Sequence, residues 1–384
     1  MKKLQVVIGL ASALLLASAA SAENLTINWW VTGWPQGKGW LPKTAASGGQ
    51  DGSSVLIYQT GTGDAEFKYL DGQMVYTEPN VFNWDGPYNV TSATEPSPEV
   101  GHEPSIAMVT CQIPACLGLY FISDVIQVHQ GGQDNGASLW YRTGVGPGLE
   151  TTWAVSKFYD TGFNPTVAVD QTGGTSTTTT VVEVHQAAVG LSALWYHVGT
   201  LTYSATSVSV AWGPAHTVGF SAYAPTVSIA KGIVVLAAQG TGGQLLYSIG
   251  TADTSTNTIN SWTATNNYDS GYNPSVSVQS CGLGSANFGC DFVVLEAHQE
   301  GNTTGSLMYR IGKMYYGTGG GSAPTSITWA PNADTNYAKG CYPSVALMSY
   351  GTNYTTTYPL VESHSDACGG PAAIQTAWGY LQLD

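Results

Sequence analysis

A Glu-x-His-Gln motif recurs along this sequence, and its residue types and spacing could do chemistry. Two copies are complete, Glu183-Val184-His185-Gln186 and Glu296-Ala297-His298-Gln299. Two related copies keep the histidine, Gln127-Val128-His129-Gln130 and Glu362-Ser363-His364-Ser365. Residues two apart point to the same side of a β-strand, so each carboxylate should lie beside its imidazole. Such a pair can exchange a proton, bind polar ligand groups, or hold strands in place.

Two roles fit these repeated Glu and His side chains. Buried between neighbouring units, they would satisfy each other and nearby backbone groups, which is a structural role. On an open face, they would bind a ligand at several equivalent places. We favour the structural role, because catalytic residues usually occur once in a chain. One unit carries Leu236 and Ala238 instead of the pair, and another carries Tyr58 at the His position.

Each motif lies within a repeated block of four short apolar runs. In one block the first three runs are Thr166 to Val169, Val181 to His185 and Leu194 to Val198, and the fourth ends at Trp212. Alternation and β-branched or aromatic residues predict strands rather than helices. The block recurs roughly every 60 residues, a period typical of propellers. A proline opens each block, within a lead-in segment such as Tyr159 to Pro165; these prolines are Pro42, Pro104, Pro165, Pro225, Pro274 and Pro343.

The repeat predicts an all-β fold, a six-bladed β-propeller of four-stranded blades whose ring is closed by the N-terminal strand. The sixth block stops one strand short, and Leu25 to Trp29 matches Ser326 to Trp329 in pattern. We therefore expect Leu25 to Trp29 to pair with the strand near Ile374 to Tyr380, because this removes an open sheet edge. Residues 23–384 should form a single domain.

The first 22 residues predict a secretory signal peptide. Lys2 and Lys3 precede the apolar stretch Leu4 to Leu16, and Ala20-Ser21-Ala22 is a small-residue cleavage site. The apolar stretch is too short for a transmembrane helix. We expect a soluble bacterial protein that is secreted to the periplasm or the medium.

The six cysteines predict three disulfides in an oxidising compartment. Strand pairing within the blocks favours Cys111–Cys116, Cys281–Cys290 and Cys341–Cys368. No Cys-x-x-Cys is present, which argues against a cysteine zinc site.

The net charge of the chain limits its partners. The formal charge is −14, although only 9% of the residues are charged. This balance argues against nucleic acid and against anionic membranes as partners. We expect no membrane insertion and no cofactor.

The candidate binding residues combine aromatic rings with polar groups, which suits sugars. Arg310, Tyr268 and Asp269 are the ones we expect most strongly to contact a ligand, with no catalytic or metal-binding residue assigned. The full set is Tyr159, Asp160, Tyr268, Asp269, Trp140, Trp195, Arg142, Arg310, His129, Glu183, His185, Glu296, His298, Glu362 and His364.

In blade number and repeat length, the sequence resembles the six-bladed fungal fucose-binding lectins. That family combines Arg, Glu and Trp in sites between blades. The resemblance is one of architecture, and with Arg142 and Arg310 as the only arginines, at most two sites could follow the family pattern. It implies a secreted carbohydrate-binding protein, with glycan as the ligand.

Other functions stay open at this point. A secreted polysaccharide lyase or glycoside hydrolase of propeller fold is one, and an adhesion or scaffold module that binds a protein is another. The lead-in at Tyr159 is similar to the Asp box of sialidases, but the closing Trp is missing. Sialidases also hold their substrate with three arginines, so we do not expect a sialidase.

Overall fold

The computed structural model describes residues 25–47, 52–74, 82–92, 99–110, 123–132, 137–146, 151–171, 177–204, 206–281, 290–317, 322–331, 335–348 and 357–382. Within these ranges the chain is strand, turn and one short 3-10 helix, Thr241–Gly243, so the predicted all-β class is confirmed. The predicted signal peptide, residues 1–22, lies outside the described residues, and so do Cys111 and Cys116.

The strands follow the repeat of the sequence, and we number the units 1 to 6 by their prolines. Units 1 and 2 contain β1 (Thr26–Ser47), β2 (Ser53–Gln59), β3 (Ala65–Met74), β4 (Phe82–Asn89), β5 (Val100–Thr110), β6 (Ser123–Gly131), β7 (Ser138–Gly146), β8 (Thr152–Trp153) and β9 (Lys157–Thr161). Units 3 and 4 contain β10 (Phe163–Val169), β11 (Thr178–Gln186), β12 (Ser192–Ser204), β13 (Ser207–Trp212), β14 (His216–Ala230), β15 (Ile233–Gln239), β16 (Gln244–Asp253), β17 (Thr258–Asn260) and β18 (Asn266–Ser270). Units 5 and 6 contain β19 (Tyr272–Ser280), β20 (Phe292–Gln299), β21 (Gly305–Met314), β22 (Thr328–Trp329), β23 (Thr335–Leu347), β24 (Thr357–Ser365) and β25 (Ala372–Gln382).

All strand pairs within the units are antiparallel, and the second strand of each unit is central. In unit 4, β15 pairs with β14 on one side and with β16 on the other. Its side chains from Ile233 to Ala238 are all buried, because both faces of a central strand pack against neighbouring units. The outer strand β13 instead alternates between exposed and half-buried residues, as an edge strand does.

The hydrophobic core is divided into clusters that consecutive units share. One cluster joins Ile126 and Val128 of unit 2 to Val167 and Val181 of unit 3. A further cluster joins unit 6 to unit 1, with members Ala46, Phe82, Ala346, Val361 and Trp378. Burial of apolar area between units therefore stabilises their arrangement as well as their individual sheets.

A tryptophan at the outer strand lies opposite a glycine of the third strand. Trp212 pairs with Gly199 across β12 and β13. A Cβ atom at Gly199 would lie 3.0 Å from the Trp212 ring, so only glycine lets the indole lie flat on the strand. The same pairing joins Trp153 to Gly144 and Trp329 to Gly312.

The N-terminal strand pairs with the last strand of the chain. In the β1–β25 ladder, Ile27 lies opposite Leu381 and Trp29 lies opposite Gly379. The predicted pairing of Leu25 to Trp29 with the strand near Ile374 to Tyr380 is thus observed. The second half of β1 then pairs with β2 and serves as the first strand of unit 1.

The lead-in segments belong to the sheets, although residues such as Asp160, Gly162, Asn164 and Pro165 are typical of turns. Tyr159 and Asp160 belong to β9, which pairs with β7 of the preceding unit. In the same way, β18 pairs with β16. Each lead-in strand pairs with the part of the third strand's outer edge that the fourth strand leaves unpaired.

The chain crosses to the next unit through a residue with positive φ just before the proline. At Asn164 this φ is 48°, and the pairing of β10 with β11 shifts its register there. The residues in this position are Leu41, Glu103, Asn164, Ala224, Asn273 and Tyr342. A buried glutamine of the preceding unit accepts the backbone N–H at this point, as Gln130 Oε1 does from Asn164 at 3.3 Å.

The first strands of successive units are linked side by side. The Val167 N–H donates to Ser105 Oγ at 3.2 Å, and the Thr44 N–H donates to Ser344 Oγ at 2.8 Å. The second bond joins unit 1 to unit 6. A narrow cavity of about 70 Å³ is lined by all six first strands, through residues that include Ala45, Ala107, Ala168, Ile229, Val278 and Ala346.

Two of the three predicted disulfides are present. Cys281 is bonded to Cys290, and Cys341 is bonded to Cys368. Each disulfide links the two strands of one antiparallel pair at the same end of that pair, as the strand order predicted. Among the described residues, no helix has the length and apolar character to cross a membrane.

Candidate functional site

Polar clusters lie where one unit meets the next, and each draws on three strands. The second strand of a unit supplies the histidine of the motif. The third strand supplies a basic residue opposite the Glu or Gln of the motif, namely Arg142, His197 or Arg310. The lead-in segment before the unit supplies a carboxylate, namely Glu99, Asp160 or Asp269.

The cluster of unit 3 contains two imidazoles that face one carboxylate. His197 Nε2 lies 2.8 Å from Asp160 Oδ2, and His185 Nε2 lies 3.8 Å from the same oxygen. His185 Nδ1 lies 3.1 Å from Glu183 Oε2, which is buried. The rings of His185 and His197 are stacked with their centroids 5.9 Å apart.

The cluster of unit 5 replaces the second imidazole by a guanidinium. Arg310 Nε lies 2.9 Å from Asp269 Oδ2, and Arg310 also donates to the backbone oxygen of Tyr268. His298 Nδ1 lies 3.0 Å from Glu296 Oε2. The guanidinium carbon of Arg310 lies 5.9 Å from the centre of the Trp329 ring, within cation–π range.

The cluster of unit 2 has an ion pair at its centre. Arg142 is bonded to Glu99, and His129 Nε2 lies 3.2 Å from the other oxygen of this carboxylate. Burial raises the pKa of Glu99, but the hydrogen bond and charge of His129 and the charge of Arg142 outweigh it, so the net pKa is lowered. Burial is also the main cause of the lowered pKa of His129.

A half-buried tyrosine contacts the glutamate in unit 6. The Tyr337 hydroxyl donates to Glu362 Oε1 at 2.9 Å, and His364 Nδ1 lies 3.0 Å from Glu362 Oε2. Burial and the charge of Glu362 hold the pKa of Tyr337 well above its usual value. Burial lowers the pKa of His364, but Glu362 outweighs burial and raises it overall. The same balance raises the pKa of His185 beside Glu183.

Each motif histidine packs on a glycine of the lead-in segment. A Cβ atom at Gly162 would lie 2.4 Å from His185 Cδ2, and one at Gly271 would lie 2.5 Å from His298 Cδ2. In unit 4 both residues have changed together, because Ala222 and Ala238 occupy the two positions. Both alanines are fully buried in one hydrophobic cluster, so an apolar pair packs where a histidine and a glycine pack in other units, which fits a packing role for these histidines.

The structure brings most of the predicted residues together, but it buries many of them. Arg142 is 1% exposed, and the side chains of Glu183, Glu296 and Glu362 are 0% exposed. Asp160 keeps 28% of its side chain exposed, whereas Asp269 and Arg310 keep 13% and 14%. A ligand from solution can therefore reach the lead-in carboxylates and Arg310. The assignment of these residues to ligand binding stays a prediction.

Trp140 and Trp195 lie on the third strands of units 2 and 3, directly opposite the motif histidines His129 and His185. Both are half-buried. The Trp140 Nε1–H donates to Ser138 Oγ at 2.7 Å, and its ring meets the ring of Phe158 edge-on. Phe158 is itself 55% exposed, so this aromatic pair reaches the surface.

Two members of the clusters were missed in the sequence. His197 lies opposite Glu183 in the ladder, at the register of Arg310 in unit 5. Glu99 precedes Gly101 by two residues, as Asp160 precedes Gly162. Alignment of the lead-in glycines and the third strands would have identified both.

A separate groove of about 860 Å³ opens where the lead-in segments of units 1, 2 and 3 come together. Its walls include Trp40, Asp64, His102, Glu103 and Asn164. The rings of Trp40 and His102 lie 5.9 Å apart. Burial raises the pKa of Glu103, although His102 and Lys43 oppose that effect. The groove thus combines an aromatic ring with donors, acceptors and a carboxyl group.

No protein-family model matches the sequence, and no curated protein matches it either. Among solved structures, the fold is similar to that of the Aleuria aurantia lectin, in a mutant form bound to alpha-methyl-L-fucoside. The identity is 14%, the TM-score is 0.51, and the match covers 90% of this chain and 95% of the lectin. This match confirms the architectural resemblance to fungal fucose lectins.

The same fold is also found in two glycosidases. The NanB sialidase of Streptococcus pneumoniae is 8% identical with a TM-score of 0.51, over 93% of this chain and 71% of the sialidase. The alpha-L-arabinofuranosidase of Fusarium graminearum is 10% identical with a TM-score of 0.50, over 94% and 98%. At these identities the comparisons establish a propeller-like fold and nothing about activity.

Proposed function

We propose that this chain is a secreted, lectin-like carbohydrate-binding protein built as a six-bladed β-propeller. The ring is closed by the N-terminal strand, and residues 23–384 form its single domain. Three observations support the closed ring: β1 pairs with β25, Thr44 of unit 1 bonds to Ser344 of unit 6, and six first strands line one cavity. Such closure leaves no free sheet edge.

The groove at units 1 to 3 is the observation that carries the carbohydrate-binding proposal. Its volume falls within the range of small-ligand sites. Sugars place their C–H faces on aromatic rings and their hydroxyls on polar groups. Trp40 supplies the ring, whereas Asp64, His102 and Asn164 supply the polar groups. We assign the main glycan contact to this groove.

The clusters between units supply additional sites at quasi-equivalent places. Asp160, Asp269 and Arg310 each keep an accessible edge. The carboxylate oxygens of Asp160 and Asp269 could accept hydrogen bonds from sugar hydroxyls, and the Arg310 guanidinium could donate hydrogen bonds to sugar oxygens. Two buried pairs lie beside these edges, because His185 of the Glu183–His185 pair contacts Asp160 and His298 of the Glu296–His298 pair contacts Asp269. The equivalent buried groups of units 2 and 6 are Arg142, His129, Glu362 and His364.

Secretion belongs to the same proposal. Disulfides persist in the periplasm and outside the cell, and two link strands in the described residues. The leading 22 residues have the sequence features of a signal peptide. Mass spectrometry of the protein from culture medium or periplasm would test the expected cleavage after Ala22.

Glycoside hydrolysis is a second candidate, and Glu103 is the observation in its favour. The raised pKa of this carboxyl group keeps it protonated to a higher pH than an ordinary glutamate. A protonated carboxyl in a sugar-sized groove is what a general acid requires. Digestion of mixed polysaccharides separates the candidates, because a hydrolase releases products and a lectin does not.

A glycan array with the purified protein tests carbohydrate binding directly, followed by calorimetry on any glycan bound. We expect Trp40→Ala and Asp64→Ala to weaken binding at least tenfold through loss of stacking and of a hydrogen-bond acceptor. Tyr272→Ala is the matched control, because Tyr272 stands at the same lead-in position in unit 5, away from the groove. Binding that survives both groove substitutions would overturn the assignment, and an array without any bound glycan would favour a protein partner.

A further inference from the structure

We propose that Asp160, His185 and His197 of unit 3 form a binding site for a divalent transition-metal ion, Zn²⁺ by preference. This site shares Asp160 with the additional glycan sites, but its test does not depend on glycan binding. Two imidazoles and a carboxylate are a common set of zinc ligands. One ligand atom from each of the three residues lies within 4.8 Å of the others, so a single ion can reach all three.

The distances within this triad suit a tetrahedral ion. Ligand atoms about 2.0–2.1 Å from a tetrahedral zinc ion lie roughly 3.3 Å from one another. The Asp160 Oδ2 atom lies 2.8 Å from His197 Nε2 and 3.8 Å from His185 Nε2. These two separations bracket the required one, so small side-chain rotations would admit the ion.

The outer partners of both histidines provide a second, independent observation. Histidines that bind metals usually donate their other ring N–H to a carboxylate or a backbone carbonyl, which fixes the tautomer. His185 Nδ1 lies 3.1 Å from the buried Glu183 carboxylate. His197 Nδ1 lies 2.9 Å from the carbonyl oxygen of Gly213. Both Nε2 atoms are thereby directed toward Asp160, and a bound metal ion would replace the proton between His197 Nε2 and this carboxylate.

Comparison with the other units shows why unit 3 differs. The position of His197 is occupied by Arg142 in unit 2 and by Arg310 in unit 5. An arginine places a fixed positive charge beside the lead-in carboxylate and cannot bind a cation. Unit 3 has a histidine there, which can bind a metal ion through a ring nitrogen, so the ion can supply the positive charge instead.

The site is also accessible and selective. His185 and His197 are 2% and 6% exposed, whereas Asp160 is 28% exposed. The carboxylate side therefore opens to solvent, which allows an ion to enter and leaves a coordination position for water. Imidazole ligands favour Zn²⁺ and similar ions, while Ca²⁺ and Mg²⁺ prefer oxygen ligands alone.

Calorimetry of the full-length protein with ZnCl₂, after treatment with chelator, tests the site. We expect equimolar Zn²⁺ binding and a higher melting temperature, because the ion binds the folded state. CaCl₂ should have neither effect. Equilibrium dialysis with metal analysis gives an independent stoichiometry.

The other units suggest variants that should keep the fold. His197→Arg copies units 2 and 5, and we expect it to abolish zinc binding. Glu183→Gln copies Gln127 of unit 2, and we expect it to lower the affinity about 10- to 100-fold through the outer partner of His185. Asp269→Asn in unit 5 is the matched control and should leave zinc binding unchanged.

Two results would overturn the proposal. One is a wild-type protein that binds no Zn²⁺ in molar excess. The other is equal zinc binding by the wild type and by a folded His197→Arg variant, which would place the ion elsewhere. If His197→Arg fails to fold, two other variants decide the question. The proposal is overturned if Glu183→Gln and Asp160→Ala each bind Zn²⁺ with the wild-type affinity.

Discussion

Trp29, near the start of the described chain, lies directly opposite Gly379 in the last strand. The same tryptophan–glycine pairing closes units 2, 3 and 5 within their own sequences. Trp29 also stacks on Tyr337 of the neighbouring unit, with centroids 5.2 Å apart. Beside β25, the N-terminal strand therefore takes the outer position that β8, β13 and β22 take in those units.

Removal of this strand should destabilise the whole protein. Deletion of residues 23–30 exposes the edge of β25 and removes the buried Ile27 together with Trp29. Loss of these side chains alone should cost about 3–5 kcal/mol in the free energy of unfolding. Thermal and urea denaturation would measure it. A truncated protein with the wild-type melting temperature would contradict the closure by this strand.

The contributions of His364 and His129 to the stability of the protein should change with pH in opposite directions. The pKa of His364 is raised by Glu362, so its contribution is present below the pKa of the unfolded state and is lost as pH rises through the folded-state pKa. The pKa of His129 is lowered, chiefly by burial, so its contribution is present above the unfolded-state pKa and is lost as pH falls.

The variants His364→Gln and His129→Gln would measure these two contributions. Between about pH 5 and 8, the stability difference from wild type should fall with rising pH for His364→Gln and rise for His129→Gln. The slope cannot exceed about 1.4 kcal/mol per pH unit for one proton. Slopes of the same sign would show that the environments of the two histidines are not those described.

Steric contact should couple Gly271 to His298. Gly271→Ala should cost about 1–3 kcal/mol of stability, because the new Cβ would lie 2.5 Å from His298 Cδ2. The double variant with His298→Ala restores the pair seen in unit 4, Ala222 and Ala238. It should lose less stability than the sum of the single variants. Additive losses in this cycle would argue against the packing role of the histidine.

Gln299 should stabilise the contact between units 5 and 6. Its Oε1 accepts from the Tyr342 N–H at 3.2 Å, and its Nε2–H donates to the Gly301 carbonyl at 2.7 Å. Gln299→Leu would leave buried backbone groups unsatisfied and should cost about 1–3 kcal/mol. Ser365→Ala is the control at the same position of unit 6, because the Ser365 hydroxyl donates to Ala367 within its own unit. Equal losses would contradict this assignment.

Local sequence patterns were sufficient to predict the four main strands of each unit, their order and the two disulfides that the structure describes, but not the lead-in strands β9 and β18. Period-2 alternation and a repeated block are local signals, since each strand carries its own pattern of buried and exposed residues. The pairing of Cys341 with Cys368 followed from the same order, because both residues flank one strand pair. The match between Leu25–Trp29 and Ser326–Trp329 identified the partner of the last strand for the same reason.

The contacts between residues of different units depend on tertiary packing and could not be predicted from the strand patterns. Asp160 lies in β9, which pairs with a strand of unit 2, whereas its carboxylate contacts His185 and His197 of unit 3. The neighbours of this side chain therefore depend on how whole sheets pack. The burial of Glu183 and Arg142 has the same origin. Alternation within a strand shows which side chains share a face, but the distance to the next sheet depends on packing across the whole molecule.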